Sequence, residues 1–497
     1  MTAAPTVETV LAADDVRGRR LYALLFAACS LVACLPVWLV EFPPLVDYPN
    51  HLARQYVLFH YDETPAFQEH YEPAYEIVPN LAIEAFVLPL QWVLPVETAG
   101  KVFLTAVLLC QFLGYHLFGR AVHGRPTWLA FGGFFIAYHS MWLYGFINFS
   151  FGIGTFLVTA AVWLWWRPSL SLAAGLCVAA LVVTCYLSHV AAFFFVTGTM
   201  LAVVAADLAR QPRTWGRLAL QLLPLVPGLV LYFAVGGAGG GGVVWNTVTG
   251  KVIGLLGVVM SYDIRFDAVI VVALVILLAV IAWRSRGWAA HAGVLLAGAG
   301  FLFLFLAAPK EVFTGSGADA RFLAAAVPLL LLSVRFRLPA PLARWALVCF
   351  LGLTLARLGV ITWEWTRASG QIAAQVALLD RVPVGARIYP AVMEPDVSDY
   401  SKRDRCCFHA VHYATIRRQA FVPTLFAYPF QQPIRLKSPP TGAGGRPLTD
   451  RVRGYDYAFC FDVPPSETAL LAQYCTRIGE AGGATLYRLP TRPNAAH

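Results

Sequence analysis

Apolar residues in this chain gather into unbroken runs, several of them about 20 residues long, the length that crosses a bilayer as a helix. The runs and their basic ends predict spans at 21–40, 98–119, 127–143, 147–166, 170–187, 190–208, 216–235, 265–283, 288–307, 320–334 and 343–363, about eleven crossings. Past 363 the pattern changes. The tail becomes charged, proline-bearing and mixed, with 386–390, 455–461 and 484–489 reading as short strands and 466–475 as a helix opened by a serine cap. The predicted fold class is an all-α polytopic membrane bundle with interfacial helices and a small C-terminal α/β extracytoplasmic domain.

Charge orients the bundle. The clusters Arg17/Arg19/Arg20, Arg120/Arg125, Arg167, Arg210/Arg213/Arg217, Arg284/Arg286 and Arg335/Arg337/Arg344 fall on one side only if residues 77–95 do not cross. That stretch therefore reads as a helix lying in the outer interface, with Pro79 near its start and Glu84 in its body. The domain order is then a cytoplasmic N-terminus over 1–20, a transmembrane domain over 21–363 with outer loops 41–97, 236–264 and 308–319, and the extracytoplasmic domain over 364–497.

Composition narrows the class. With 58% hydrophobic and 13% charged residues, a water-soluble fold is excluded. The net charge of +9 sits in short arginine clusters between apolar runs, where orientation signals belong, so nucleic acid is not an expected partner. Only five lysines are present, and the Ala/Leu/Gly/Arg bias points to a GC-rich bacterial genome, hence an inner membrane location. Leu31-Val32-Ala33-Cys34 matches a lipoprotein cleavage pattern by letter, but the apolar run continues through Val40, which makes it an uncleaved anchor.

The run from Gly236 to Gly242 reads as a hinge for a lid or as a slack linker, followed by an apolar stretch, 243–260, suited to the bilayer surface. Six of the ten cysteines lie in membrane segments as packing residues. The other four, Cys406, Cys407, Cys460 and Cys475, fall in the outward tail, where one or two disulfides are expected. Their spacing fits no paired metal motif, and the metal ligands are unknown from sequence.

Four features resemble the type C glycosyltransferase superfamily, which includes protein O-mannosyltransferases and lipid A aminoarabinose transferase. They are Asp47 just after the first span, an interfacial helix before the second, a second span from Val96-Glu97-Thr98 to Gly119-Arg120, and Asp319-Ala320-Arg321-Phe322 entering a late span. Val382-Pro383-Val384-Gly385-Ala386-Arg387 is similar to the start of that superfamily's outer domain. The chain lacks the usual Pro-Pro-Leu-Tyr stretch and a second acidic residue after the third span. The resemblance implies inverting transfer of a sugar from a polyprenyl-phosphate-linked donor to a glycan, lipid or protein acceptor at the outer face, beside membrane lipid. A divalent cation is a candidate cofactor and none is certain.

Such chemistry needs a base for the acceptor hydroxyl and cations for the departing phosphate. Asp47 is the candidate base, with His51 one turn on and Glu84 as a further acidic group; in Asp47-Tyr48-Pro49 the alternative is a plain helix cap. Arg321 is the candidate phosphate ligand, able to clamp bidentately, or a snorkelling arginine at a membrane boundary. Lys310, Arg265, Arg54, His189, His139 and Asn148 complete the candidate binding set; for Arg265 the alternative is a structural pair with its flanking acids, and for His189, His139 and Asn148 a structural hydrogen bond. The expected site is an outward cavity lined by Asp47, Glu84, His189 and Arg321. The rival classes are a transporter or lipid flippase, for which repeated halves and mid-bilayer charges are the missing signs, and a non-catalytic assembly protein.

Overall fold

The computed structural model describes residues 16–235, 242–312, 317–392, 406–438 and 447–490. The chain divides into two compact units, Met1–Pro36 with Leu104–Thr362, and Val37–Phe103 with Trp363–His497.

Seven helices are long and apolar enough to cross a membrane: Arg17–Leu39, Val96–His123, Ile147–Ser169, Val190–Arg210, Pro212–Val235, Ile264–Arg284 and Ala340–Leu379. The protein is thus a multi-pass membrane protein, and the expected eleven crossings are corrected to seven helices of spanning length among the described residues. Leu172–Ser188 and Ala292–Ala307 are apolar but shorter. Ala318–Ser333 has 16 residues and carries Pro328 inside.

The expected span over 127–143 is the clearest departure. It is a chain of short pieces, Trp128–Phe131, Gly132–Ile136 and Ser140–Leu143, with Gly145 in the left-handed region at φ 86°. Broken helices leave carbonyls without intrahelical donors. Here Arg357, 1% exposed within a long apolar helix, donates to the carbonyls of Phe135, Tyr138 (2.7 Å), Val259 (3.1 Å) and Met260 (2.8 Å). A guanidinium in place of a backbone ladder makes the irregular stretch tenable at membrane depth.

Helices in the first unit approach closely where glycine permits it. A Cβ on Gly154 would lie 2.7 Å from the Cys110 backbone, and one on Gly114 would lie 2.9 Å from the Gly154 carbonyl. Small residues at a helix crossing let backbones pack by van der Waals contact, the main attraction available between helices in lipid.

The stretch after the glycine run is part strand and part helix. Residues 236–241 fall outside the described set, while Val243–Val244 pairs with Glu311–Val312 and Val248–Leu256 is helical.

The helix Ala340–Leu379 runs on well past 363, the predicted end of its span. Forty residues make a helix about 60 Å long, twice a bilayer's hydrocarbon core. Residues 371–379, rich in Gln, Ala and Leu, favour helix, and the helix ends just before Val382-Pro383. The second unit also holds strands β1 (Tyr71–Pro73), β2 (Ile388–Val392), β3 (Ile434–Leu436), β4 (Tyr457–Phe461), β5 (Thr476–Ala481) and β6 (Ala484–Arg488). A four-stranded mixed sheet has the order β2-β4-β6-β5, with β2 parallel to β4 and the other pairs antiparallel. All five residues of β4 are buried, as its inner place requires. Gly482 and Gly483, at φ 56° and 77°, turn the chain between β5 and β6.

Under the sheet Ala391, Leu448, Val452, Ala458, Cys460, Leu471 and Tyr487 form one apolar cluster, to which the helix Pro465–Tyr474 contributes Leu471. The loop after the first span joins this unit, because β1, from that loop, pairs antiparallel with β3, from the C-terminal tail. The interfacial helix is shorter than expected: it runs Ala82–Leu90, with Pro79 before it and Asn80 at φ 73°. The expected disulfides are also corrected. All ten cysteines are free, and the Sγ atoms of Cys406 and Cys407 lie 3.8 Å apart.

Candidate functional site

The sequence candidates fall into two groups, one in each unit. In the second unit Asp47 stands at the N-cap of the helix Tyr48–Phe59, where Pro49 in the first turn needs no donor. Its carboxylate makes no capping hydrogen bond. Instead Oδ1 lies 3.4 Å from Nε2 of His409, and the two side chains keep 16% and 17% exposure, enough to meet solvent or a ligand. The helix thus presents the acid without using it.

The partner histidine is held from behind. His409 packs on Phe426 and His412 with ring centroids 5.4 and 5.3 Å apart. His412 is fully buried; its Nδ1 lies 3.1 Å from the His409 carbonyl and its Nε2 lies 3.2 Å from both Thr424 Oγ1 and Asn50 Nδ2. Burial, with His409 adding to it, pushes the His412 imidazole down to about 3, so it is neutral at ordinary pH. A neutral ring has one donor and one acceptor. With Nδ1 donating to the carbonyl, Nε2 accepts. Asn50 completes the frame, donating to the Thr424 carbonyl at 2.8 Å and accepting from the Phe426 amide at 2.7 Å. His51, 8% exposed, lies edge-on to Phe426.

Glu84 and Arg54 find each other. Glu84 Oε1 accepts from Arg54 Nε at 2.9 Å, Arg54 Nη2 at 2.6 Å and Gln55 Nε2 at 2.9 Å. Arg54 is fully buried and Glu84 nearly so, so each charge answers the other.

The second group, in the first unit, gathers round Phe149. Arg321 lies over the rings of Phe146 and Phe149 at 5.5 and 5.9 Å. Phe149 also meets His189 edge-on at 5.3 Å and His139 at 6.3 Å. Asn148, buried, precedes it in the helix Ile147–Trp166. Stacking occupies the flat face of a guanidinium and directs its N–H donors outward in plane. His189 and His139 each also cap a helix, Nδ1 accepting from the amides of Ala191 at 3.0 Å and Trp142 at 3.3 Å.

Arg265 and Lys310 are the remaining candidates. Arg265 is exposed; of its flanking acids, Asp263 caps the helix Ile264–Arg284, and Asp267 accepts from the Ser261 hydroxyl and amide. Lys310 is partly buried, its carbonyl accepting from the Ala318 amide at 2.8 Å.

Sequence reasoning missed His409, His412 and Lys251. Lys251 Nζ bonds Asp319 Oδ2 at 2.7 Å and the carbonyls of Phe305 and Ala308 at 2.6 and 2.7 Å, so Asp319 has a cation other than its neighbour Arg321. The spacing of His409 and His412, three apart, was the only available signal. Among the described residues no group of three or more His, Cys, Asp or Glu is placed to hold a metal ion.

No protein-family model matches the chain, and no curated protein matches it in sequence. Solved structures match it in fold. ArnT from Cupriavidus metallidurans bound to undecaprenyl phosphate aligns with a TM-score of 0.53 at 12% identity, over 94% of this chain and 97% of that one. The same protein in the apo state gives 0.55 at 13% identity, over 94% and 98%. The chain has the ArnT fold. The likeness runs through nearly the whole of both proteins, in agreement with the resemblance carried by the sequence, and at this identity it is a likeness of architecture.

Proposed function

We propose that the chain is a membrane glycosyltransferase that moves a sugar from a polyprenyl-phosphate-linked donor to an acceptor hydroxyl or amine at the outer face of the inner membrane. The observation that carries this reading is the whole-length likeness to a protein crystallised with undecaprenyl phosphate. Asp47 adds to it, a part-exposed carboxylate with no capping bond at the head of a helix. Asp47 takes the acceptor proton as the acceptor atom bonds the anomeric carbon. The bond from that carbon to the phosphate oxygen breaks with inversion, leaving its electron pair on the phosphate. Arg321, set over its two aromatic rings, carries in-plane N–H donors of the kind that pair with phosphate oxygens, and we assign it to donor binding. The pair Glu84–Arg54 keeps the Tyr48–Phe59 helix, and with it Asp47, in place.

The test is turnover by the purified full chain in detergent or nanodiscs, offered undecaprenyl phosphate carrying different sugars, with released undecaprenyl phosphate measured. Asp47→Asn removes transfer while donor binding persists, and Arg321→Met weakens donor binding. An Asp47→Asn protein as active as wild type overturns the assignment of the base.

A further inference from the structure

Once Asp47 has taken a proton from an acceptor, that proton must leave before the next turnover. We infer that His409 is the residue that takes it, a positioning and proton-draining partner of Asp47; this rests on the sugar-transfer reading above. The two side chains come from opposite ends of the chain, yet Nε2 of His409 faces Oδ1 of Asp47 at 3.4 Å. Both groups reach solvent in part, so the path from carboxylate to imidazole to water is short.

The surroundings fix which way His409 faces. Phe426 and His412 pack on its ring, and its own carbonyl accepts from His412, whose other nitrogen meets Thr424 and Asn50. Asn50 sits one turn after Asp47 in the helix Tyr48–Phe59, so one side chain locks the acid's helix to the histidine's segment. The inner ring is neutral and buried and does not exchange protons near neutrality; the outer one is part-exposed. A purely structural histidine has no need to aim a ring nitrogen at an acid that makes no cap bond.

The step balances without a co-reactant. The acceptor's proton passes to an Asp47 oxygen as the glycosidic bond to phosphate breaks. It then passes from Asp47 to the lone pair on His409 Nε2, and the imidazolium gives a proton to water, restoring carboxylate and neutral ring.

The experiment compares His409→Ala, His409→Gln and Asp47→Asn in the same full-length protein, using undecaprenyl-phosphate-linked sugar as donor, with and without added imidazole. His409→Ala is expected to lower kcat at least about 10-fold with donor KM unchanged, and imidazole to restore much of the loss. His409→Gln, which keeps a polar side chain of similar reach but exchanges no proton, stays as slow as His409→Ala. Full activity in His409→Ala overturns the inference, and so does full recovery in His409→Gln, which would make the role one of shape alone. The two readings fail separately: a wild type that transfers no sugar sinks the function, whereas an active wild type with inactive Asp47→Asn and unimpaired His409→Ala sinks only the proton path.

Discussion

Leucine substitutions at Arg54 and Glu84 bear on whether this pair is the fastener of the Asp47 helix. Arg54 has no exposed side-chain surface and Glu84 about 7%, and three N–H donors converge on one carboxylate oxygen within 2.9 Å. Glu84→Leu leaves a guanidinium buried without a counter-charge, a loss of about 3–5 kcal/mol, and Arg54→Leu strands the carboxylate at similar cost. In a unit of about 200 residues, each kcal/mol moves the midpoint by roughly 2–4 °C, so either single variant should melt about 6–20 °C below wild type. The double variant removes both charges together and should recover much of that, giving a coupling of about 2 kcal/mol or more. Glu84→Gln, which keeps an acceptor oxygen, should lie between. The assay is the midpoint for loss of the monodisperse peak on gel filtration after heating in detergent. Single variants within about 2 °C of wild type, or a double variant at the plain sum of the singles, would refute the reasoning.

Other outcomes follow from the same geometry. Asp47→Asn should leave the melting midpoint unchanged, because no capping bond exists to lose; a fall of several degrees would mean the carboxylate holds the helix after all. His412 titrates below the ordinary imidazole value, so the stability it contributes is complete above about pH 6.5 and drains away as pH falls toward about 3, amounting to roughly 3 kcal/mol by pH 4.5. Melting curves from pH 7 to 4.5 should therefore be flatter in His412→Gln than in wild type, and parallel curves would contradict this. Arg357→Met orphans four backbone carbonyls and should abolish recovery of monodisperse protein, with Arg357→Lys intermediate; a well-behaved Arg357→Met protein would show that the broken stretch holds itself. Gly154→Ala places a methyl 2.7 Å from the Cys110 backbone and should lower stability by about 1–3 kcal/mol, read from the same heating assay; an unshifted midpoint would contradict the close packing of the two helices.

What the sequence determined by itself was everything governed by local solvent preference. Long apolar runs have one environment to satisfy, so membrane class was legible, as were the mixed tail and most of its strands, where short buried runs lie between turn residues. Asp47 and Arg321 stood out because charge next to an apolar run is rare and costly. Tertiary structure alone decided what those local signals left open. Whether 127–143 is one helix or three pieces depends on Arg357, in a helix remote in sequence, which bonds the carbonyls that the break releases. Whether Glu84 is an open acid or half of a buried pair depends on Arg54 arriving from another helix. The histidine beside Asp47 comes from the far end of the chain, in a segment whose letters carry no periodicity. Periodicity reports the medium that a residue faces, and pairings between remote segments follow from packing, which no local pattern encodes.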